Sequence, residues 1–345
     1  MYVRTPRMRV PAVSVTSQHA AALPPLRGEQ ARQYLEAHHP YDWQEMLAFP
    51  KHVDIDTINT CNARCRMCGI DFDRRKVTRM TDQLFDKIVA ELAEHRTQVD
   101  RVGLAVNSEP LMDRGLAGKI AKLKQAGIRC ASIITNASLL TPQRSEELLG
   151  AGLDQTYISI DSLDPSTYEE IRRGLVFEEA YRNACQFVGL KQRLRPAGTV
   201  RIAMVQLKEN HDEAEAFVRH WMPLLGPRDE VVVTRGFNWG VARNVVARSP
   251  SDDEEHNRVP CISLWTSFVV DVDGQVRMCC ADPEGKTLLG DLRQDSITDI
   301  WRGQKLARAR QLHFDGRRRE IAMCDGCPVW STTKHALKHR GVDQT

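Results

Sequence analysis

The chain has 345 residues, enough for one large α/β domain with a smaller appendage. A hydrophobic fraction of 42% can fill a sizeable core, and a net charge of +3 is too small to argue for a nucleic-acid partner. No run of about 18 apolar residues occurs, so a membrane span is not supported.

Arg4, Arg7 and Arg9 come early, but no apolar stretch follows them, so the start does not read as a secretory signal. Up to Pro25 the residues mix Pro, Ser, Ala and Thr without periodicity and read as a loose arm. A cytoplasmic location is the expectation. Residues 29–48 read as a helix, with Tyr34, Leu35, Trp43 and Met46 as apolar contacts.

His52 to Ile58 alternates as a strand and delivers the chain to Cys61, and a capped amphipathic helix starts at Thr81. Strands are then predicted at 101–106, 130–135, 155–160, 199–205 and 230–234. Helices are predicted between them at 116–126, 141–151, 165–172, 177–190 and 211–224. This alternation implies a parallel sheet with helical crossovers, and both a doubly wound sheet and a partial barrel fit it. In either fold the loops after the strands form the site. Cys61, Asn107-Ser108-Glu109, Asn136 and Asp161 all fall on such loops. A polar, acidic linker occupies 241–259, and Arg317–Arg319 reads as a solvated loop or helix end.

Ten cysteines in a reducing compartment argue for metal binding or catalysis over disulfides. Cys130 and Cys185 sit among apolar residues and read as buried packing. Cys61, Cys65 and Cys68 place three thiolates within eight residues. A structural zinc wants four ligands, and no fourth is close by. Four irons on three cysteines instead leave one iron open to bind a cofactor and pass it an electron. Further on, 260–282 reads as a hairpin turning at Asp273-Gly274, and Cys324 and Cys327 add a C-x-x-C. Ligands gathered from three places suit either zinc or a fully ligated iron–sulfur cluster.

The spacing C-x-x-x-C-x-x-C resembles the radical S-adenosylmethionine superfamily. Asn107-Ser-Glu-Pro-Leu111 resembles its G-G-E-P-L motif, and Thr135-Asn136 its T-N-G element, with Ala137 in place of glycine. Ile158-Ser-Ile-Asp-Ser162, Ile171-Arg-Arg-Gly174 and Asn210-His-Asp-Glu213 resemble further elements. The resemblance implies a partial (β/α)6 TIM-type barrel over 49–240, after an N-terminal arm and helix over 1–48. It implies S-adenosyl-L-methionine bound on an open-iron [4Fe-4S] cluster held by Cys61, Cys65 and Cys68. Ser108 and Glu109 would serve the methionine amine, Ser159 and Arg172 its carboxylate, and Met67 the adenine, with Asn136 and Asn210 as further contacts.

The segment 260–345 resembles the SPASM/Twitch extension, including Leu289-Gly-Asp-Leu and Ser296-Ile-Thr-Asp-Ile-Trp301. The shorter Twitch form implies one auxiliary [4Fe-4S] cluster on Cys261, Cys279, Cys324 and Cys327. Adjacent strand residues face opposite ways, which leaves Cys280 as a spectator, a replacement ligand or a hydrogen-atom donor. The implied activity is hydrogen abstraction from a small polar substrate, an aminocyclitol or sugar, oxidising an alcohol to a ketone. Epimerisation with Cys280 as catalytic donor, peptide modification and a non-catalytic metal-binding scaffold are the alternatives. A reducing partner such as flavodoxin or ferredoxin is expected, and no nucleic acid or membrane.

Overall fold

The computed structural model describes residues 24–72, 76–236 and 257–327, and the backbone of 337–340. Most of the expected arm and residues 241–256 of the linker lie outside the described residues.

Residues 29–48 form two helices where one is predicted, α1 (Gly28–His38) and α2 (Trp43–Ala48). Pro40 explains the break, because it disfavours a helical residue before it, and His39 is extended (φ −138°). Asp42 then restarts the helix, accepting from the Gln44 and Glu45 amides at 2.8 and 3.2 Å. Leu35 and Met46 are fully buried as expected.

Eight strands follow: β1 (His52–Ile55), β2 (Arg64–Cys65), β3 (Arg101–Gly103), β4 (Ala131–Thr135), β5 (Gln155–Ser159), β6 (Arg172–Arg173), β7 (Thr199–Gln206) and β8 (Glu230–Arg235). The last segments add β9 (Ser267–Val270), β10 (Gln275–Arg277), β11 (Leu288–Asp291) and β12 (Leu337–Arg340). All but β2 and β6 share one sheet, in the order β11-β10-β9-β1-β3-β4-β5-β7-β8-β12. The six predicted strands pair in parallel, β1 to β3, β3 to β4, β4 to β5, β5 to β7 and β7 to β8. The sheet does not close on itself among the described residues, which matches a partial barrel. Strand β9 joins β1 in parallel, with Val53 opposite Phe268, so the C-terminal hairpin extends the main sheet.

Capped helices cross between the strands. In α3 (Asp82–Glu94) Thr81 accepts from the Leu84 amide at 3.3 Å, and Leu84, Phe85, Ile88 and Leu92 form the buried stripe. Helices α4 (Leu116–Gln125), α5 (Pro142–Gly150), α6 (Pro165–Ile171), α7 (Phe177–Leu194) and α8 (Ala214–Trp221) follow. The predicted 211–224 helix is α only in its middle, with 3-10 turns at each end.

Strand alternation separates two faces. Val200, Ile202 and Met204 of β7 are buried, while Thr199, Arg201 and Ala203 face the other way. That second face is polar. Arg101 forks onto Asp54 at 2.8 and 3.2 Å and donates to Ser132 at 2.9 Å. A Cβ at Gly103 would lie 2.3 Å from the Asp54 carboxylate, so glycine is what admits this pair. The apolar core runs on through Trp265, Phe268 and Trp301, tying the hairpin segment to the main sheet.

Candidate functional site

The loops after β1, β3, β4, β5 and β7 meet at one edge of the sheet. Between β1 and α3 the chain makes the three-cysteine loop, which is pinned on both sides. On one side β2 pairs with β6, setting Cys65 opposite Arg172, and the Arg66 amide donates to Ile171 O at 2.8 Å. On the other, the Glu109 amide donates to Thr60 O at 2.9 Å. Arg66 also reaches Glu170 at 2.6 Å and Glu209 at 3.0 Å.

Burial dominates the electrostatics here. It pushes the Cys61 thiol up to about 12, with the charges of Glu109, Cys65 and Cys68 adding to the rise. Cys65 is raised by burial too, against the pull of Arg172. Each of these thiols feels its neighbours, so the fold gathers the trio at one place. A trio buried in this way ionises when a cationic group binds it, which suits a metal cluster. Among the described residues, no three His, Cys, Asp or Glu side chains group as a site for a single metal ion.

Glu109 is buried and fully engaged. It accepts from Thr135 Oγ1 at 2.7 Å, the Asn136 amide at 2.9 Å and the Leu111 amide at 3.2 Å. Burial raises its pKa, and those donors together with Arg172 oppose the rise. Beneath it Asp56 accepts from the Val106 and Asn107 amides at 3.0 and 3.1 Å and from Ser108 Oγ at 2.8 Å, fixing the strand-end motif. Two buried polar atoms here, Asn107 Nδ2 and Tyr168 Oη, have no partner among the described residues.

The Thr135-Asn136-Ala137 turn explains why its third position suits glycine. Ala137 has φ +61°, in the left-handed region. It is held there by its amide bond to Thr135 Oγ1 (3.1 Å) and by Asn183 Nδ2 on its carbonyl (2.9 Å).

Arg172 and Asp161 form a buried ion pair, Nε to Oδ2 2.7 Å. Burial works against the Arg172 charge, but Asp161 and then Cys65 outweigh it and raise its pKa. Asp161 Oδ1 also accepts from the Val205 amide at 2.9 Å. Ser159, at the end of β5, is half-buried and its hydroxyl has no partner among the described residues. Neither it nor Asp161 caps α6; Asp164 does, accepting from the Thr167 amide at 2.8 Å. Asn210 spends its side chain on backbone, donating to Asp161 O and Val205 O at 2.6 and 3.0 Å and accepting from the Leu207 amide at 2.7 Å. Met67 packs with Ile171 and Leu207 in a small apolar cluster beside Cys65.

The second group of cysteines gathers around the hairpin. Gly274 turns it at φ +89°, donating to Asp271 O at 2.9 Å. Cys324 feels the charges of Cys261, Cys279 and Cys327, and burial raises its thiol well above the ordinary value. Cys261 likewise feels Cys279. Cys279 and Cys280 lie beyond the end of β10, so strand alternation does not separate them. The Cys279 thiol is raised by its own hydrogen bond to Cys280, which keeps the proton on Cys279, and then by burial.

Sequence reasoning misses the basic side chains that organise this group, one charged and one neutral. Arg318, expected in a solvated stretch, is buried, and donates to Cys324 O at 2.9 and 3.1 Å, Cys327 O at 3.2 Å and Val259 O at 3.1 Å. His313 Nδ1 accepts the Cys261 amide at 3.1 Å, and burial pushes its pKa down to about 3. Its neighbourhood to Cys261 is long-range in sequence, so no local signal marks it. Cys130 and Cys185 are only partly buried, less than their apolar neighbours in sequence suggest.

The Radical SAM superfamily model matches residues 55–220, and an iron-sulfur cluster-binding domain, SPASM, matches 261–328. A GTP 3',8-cyclase of Alkaliphilus oremlandii is 31% identical over 176 residues, 49% of this chain and 51% of that protein. The chain thus spans about half the length of that cyclase relative. An S-adenosyl-L-methionine-dependent 2-deoxy-scyllo-inosamine dehydrogenase of Niallia circulans is 21% identical over 276 residues, 80% of this chain and 91% of that protein. Among solved structures, BtrN in complex with AdoMet and 2-DOIA superposes with a TM-score of 0.56 at 17% identity, covering 81% of this chain and 93% of that one. That likeness is one of fold.

Proposed function

This chain belongs to the radical SAM superfamily and carries a C-terminal SPASM domain, and on that premise we propose that it oxidises a secondary alcohol of an aminocyclitol or sugar to a ketone. When bound, an open-iron [4Fe-4S] cluster with S-adenosyl-L-methionine supplies a 5′-deoxyadenosyl radical that takes a hydrogen atom from an unactivated carbon. The observation that carries the reading is the meeting of Cys61, Cys65 and Cys68 with Glu109, Asn136 and Arg172 at one sheet edge, linked through Asp56 and Arg277 to the segment that carries a second cysteine group.

The chain's own residues divide the work. Cys61, Cys65 and Cys68 would hold the first cluster. Glu109 anchors the 107–111 turn that would receive the methionine amine, with Ser108 tied down by Asp56. Arg172, charged and braced by Asp161, and the hydroxyl of Ser159 are suited to a carboxylate. The patch of Met67, Ile171 and Leu207 suits an adenine face. Asn210 positions the loop after β7 through its backbone bonds.

Cys261, Cys279, Cys324 and Cys327 would hold one auxiliary cluster, with Arg318 drawing the carbonyls of the last two together. In the proposed oxidation the carbon-bound hydrogen goes to 5′-deoxyadenosine. The hydroxyl proton passes to solvent, and an auxiliary cluster held by Cys261, Cys279, Cys324 and Cys327 would accept the remaining electron. The dehydrogenase relative, aligned over 80% of this chain, supports this choice of substrate class.

The reading also proposes four segments, the arm and helix over 1–48, the partial barrel over 49–240, the linker over 241–259 and the auxiliary segment over 260–345. It proposes a small reducing protein such as flavodoxin or ferredoxin as electron source, and a cytoplasmic setting. No helix of the described residues is long and apolar enough to cross a membrane.

Epimerisation is the second reading, favoured by one contact: the Cys280 thiol lies within hydrogen-bonding reach of Cys279, just beyond the end of β10. The test is incubation of the reconstituted protein with aminocyclitols under reduction, followed by mass spectrometry. Loss of two hydrogens supports oxidation. An unchanged mass with inverted configuration supports epimerisation, and no 5′-deoxyadenosine with any such substrate removes both.

A further inference from the structure

Two side chains at the first cysteine site aim N–H groups at sulfur. Asn136 Nδ2 lies 3.9 Å from Cys61 Sγ, and Arg172 Nη1 lies 3.7 Å from Cys65 Sγ. The Ala63 amide adds a third donor, 3.4 Å from Cys61 Sγ. All three contacts fall within hydrogen-bonding reach of sulfur, and Asn136 and Arg172 are buried.

The direction of the Asn136 amide is fixed by its partners. Its Oδ1 faces the Ser138 amide at 3.0 Å and accepts Ser138 Oγ at 2.7 Å. A backbone N–H can only donate, so the opposite atom must be the nitrogen. That nitrogen donates to Asn62 Oδ1 at 3.0 Å and points on to Cys61, while Asn62 Nδ2 closes a ring to Ser138 Oγ at 2.8 Å. Asn136 is therefore clamped on both ends. Arg172 is clamped by charge: with Nε against Asp161, the fork is turned so that Nη1 meets Cys65.

We infer that Asn136 and Arg172 are positioning residues that tune the reduction potential of the group held by Cys61 and Cys65, through N–H···S bonds. The inference rests on the cluster reading above and gives Asn136 a role toward sulfur. Reduction adds negative charge to a cluster, and part of it sits on the thiolate sulfurs. Donors aimed at those sulfurs stabilise the reduced form and raise the potential. The effect is strengthened in a buried site, where water screens little.

Redox-poised EPR of the reconstituted full chain tests this, without S-adenosylmethionine so that carboxylate binding by Arg172 is not read. The first cluster is identified in parallel samples as the signal that changes on adding S-adenosylmethionine. For Asn136→Leu, at the potential where half of the wild-type first cluster is reduced, the ratio of reduced to oxidised should fall about tenfold. That corresponds to about 59 mV for a one-electron couple. The second cluster's signal should keep its potential. Asn136→Asp keeps the Oδ1 contact to the Ser138 amide but loses the donor, and should shift the same way if Asn136→Leu fails to take up iron. Variants that carry full iron and titrate at the wild-type potential overturn the inference alone. A wild-type chain with no S-adenosylmethionine-responsive signal overturns the cluster reading, and the inference with it.

Discussion

Arg277 Nη2 lies 3.8 Å from Asp56 Oδ2, and this buried contact joins the two cysteine sites. Arg277 is two residues before Cys279; it also pairs with Asp271 and donates to Asp282 O at 2.9 Å. Asp56 is five residues before Cys61 and holds the 106–108 turn. Burial raises the Asp56 pKa, and Arg277 is among the groups that pull it back. Arg277→Met should leave two carboxylates without their cation and cost about 3–5 kcal/mol. Urea denaturation of the metal-free chain measures this, and Arg277→Lys should lose less.

Ala137 stores backbone strain at φ +61°. A left-handed alanine costs about 1–2 kcal/mol, part of which glycine gives back through its freedom in the unfolded chain. Ala137→Gly should therefore stabilise the fold by up to about 1 kcal/mol, read as a higher urea midpoint at constant slope.

His52 gives the fold an acid sensitivity away from the cysteines. Burial, then the Arg101 charge, lowers its pKa below 6.5, and its Nε2 meets Tyr41 Oη at 3.0 Å. The unfolded chain takes up this proton near pH 6.5 while the folded chain resists it. Stability from neutral His52 is thus present above pH 6.5 and is lost as pH falls below it, by at most about 1.4 kcal/mol per pH unit. His52→Phe should flatten the fall in urea midpoint between pH 7.5 and 5.5.

Much of this was legible in sequence because it is local. The six parallel strands follow from alternation, and the cap Thr81 from its own side chain. The first cysteine loop follows from spacing alone. What escaped is long-range or hidden by composition. Arg318 reads as one of three surface arginines, yet its carbonyl partners arrive from Val259, Cys324 and Cys327. The break at His39-Pro40 was visible as a proline but is outweighed by apolar periodicity on both sides. The Cys279–Cys280 contact depends on where β10 ends, which no pattern in 260–282 marks.

Cys280→Ala separates the two proposed outcomes. If the substrate is oxidised, the ketone should form at close to the wild-type rate, because the variant keeps Cys279. If the thiol returns a hydrogen atom, turnover of the variant should stop with 5′-deoxyadenosine still formed. Product analysis by mass spectrometry reads the difference.

The central claim is that Cys61, Cys65 and Cys68 hold a four-iron cluster that cleaves S-adenosylmethionine. Anaerobic reconstitution with iron and sulfide, followed by reduction with S-adenosylmethionine, tests it most directly. The account predicts about eight irons per chain from two four-iron clusters, with 5′-deoxyadenosine released. The triple Cys61→Ala, Cys65→Ala, Cys68→Ala variant should keep about four irons and release none. A wild-type chain that takes up about one or two zincs and leaves S-adenosylmethionine intact would contradict it.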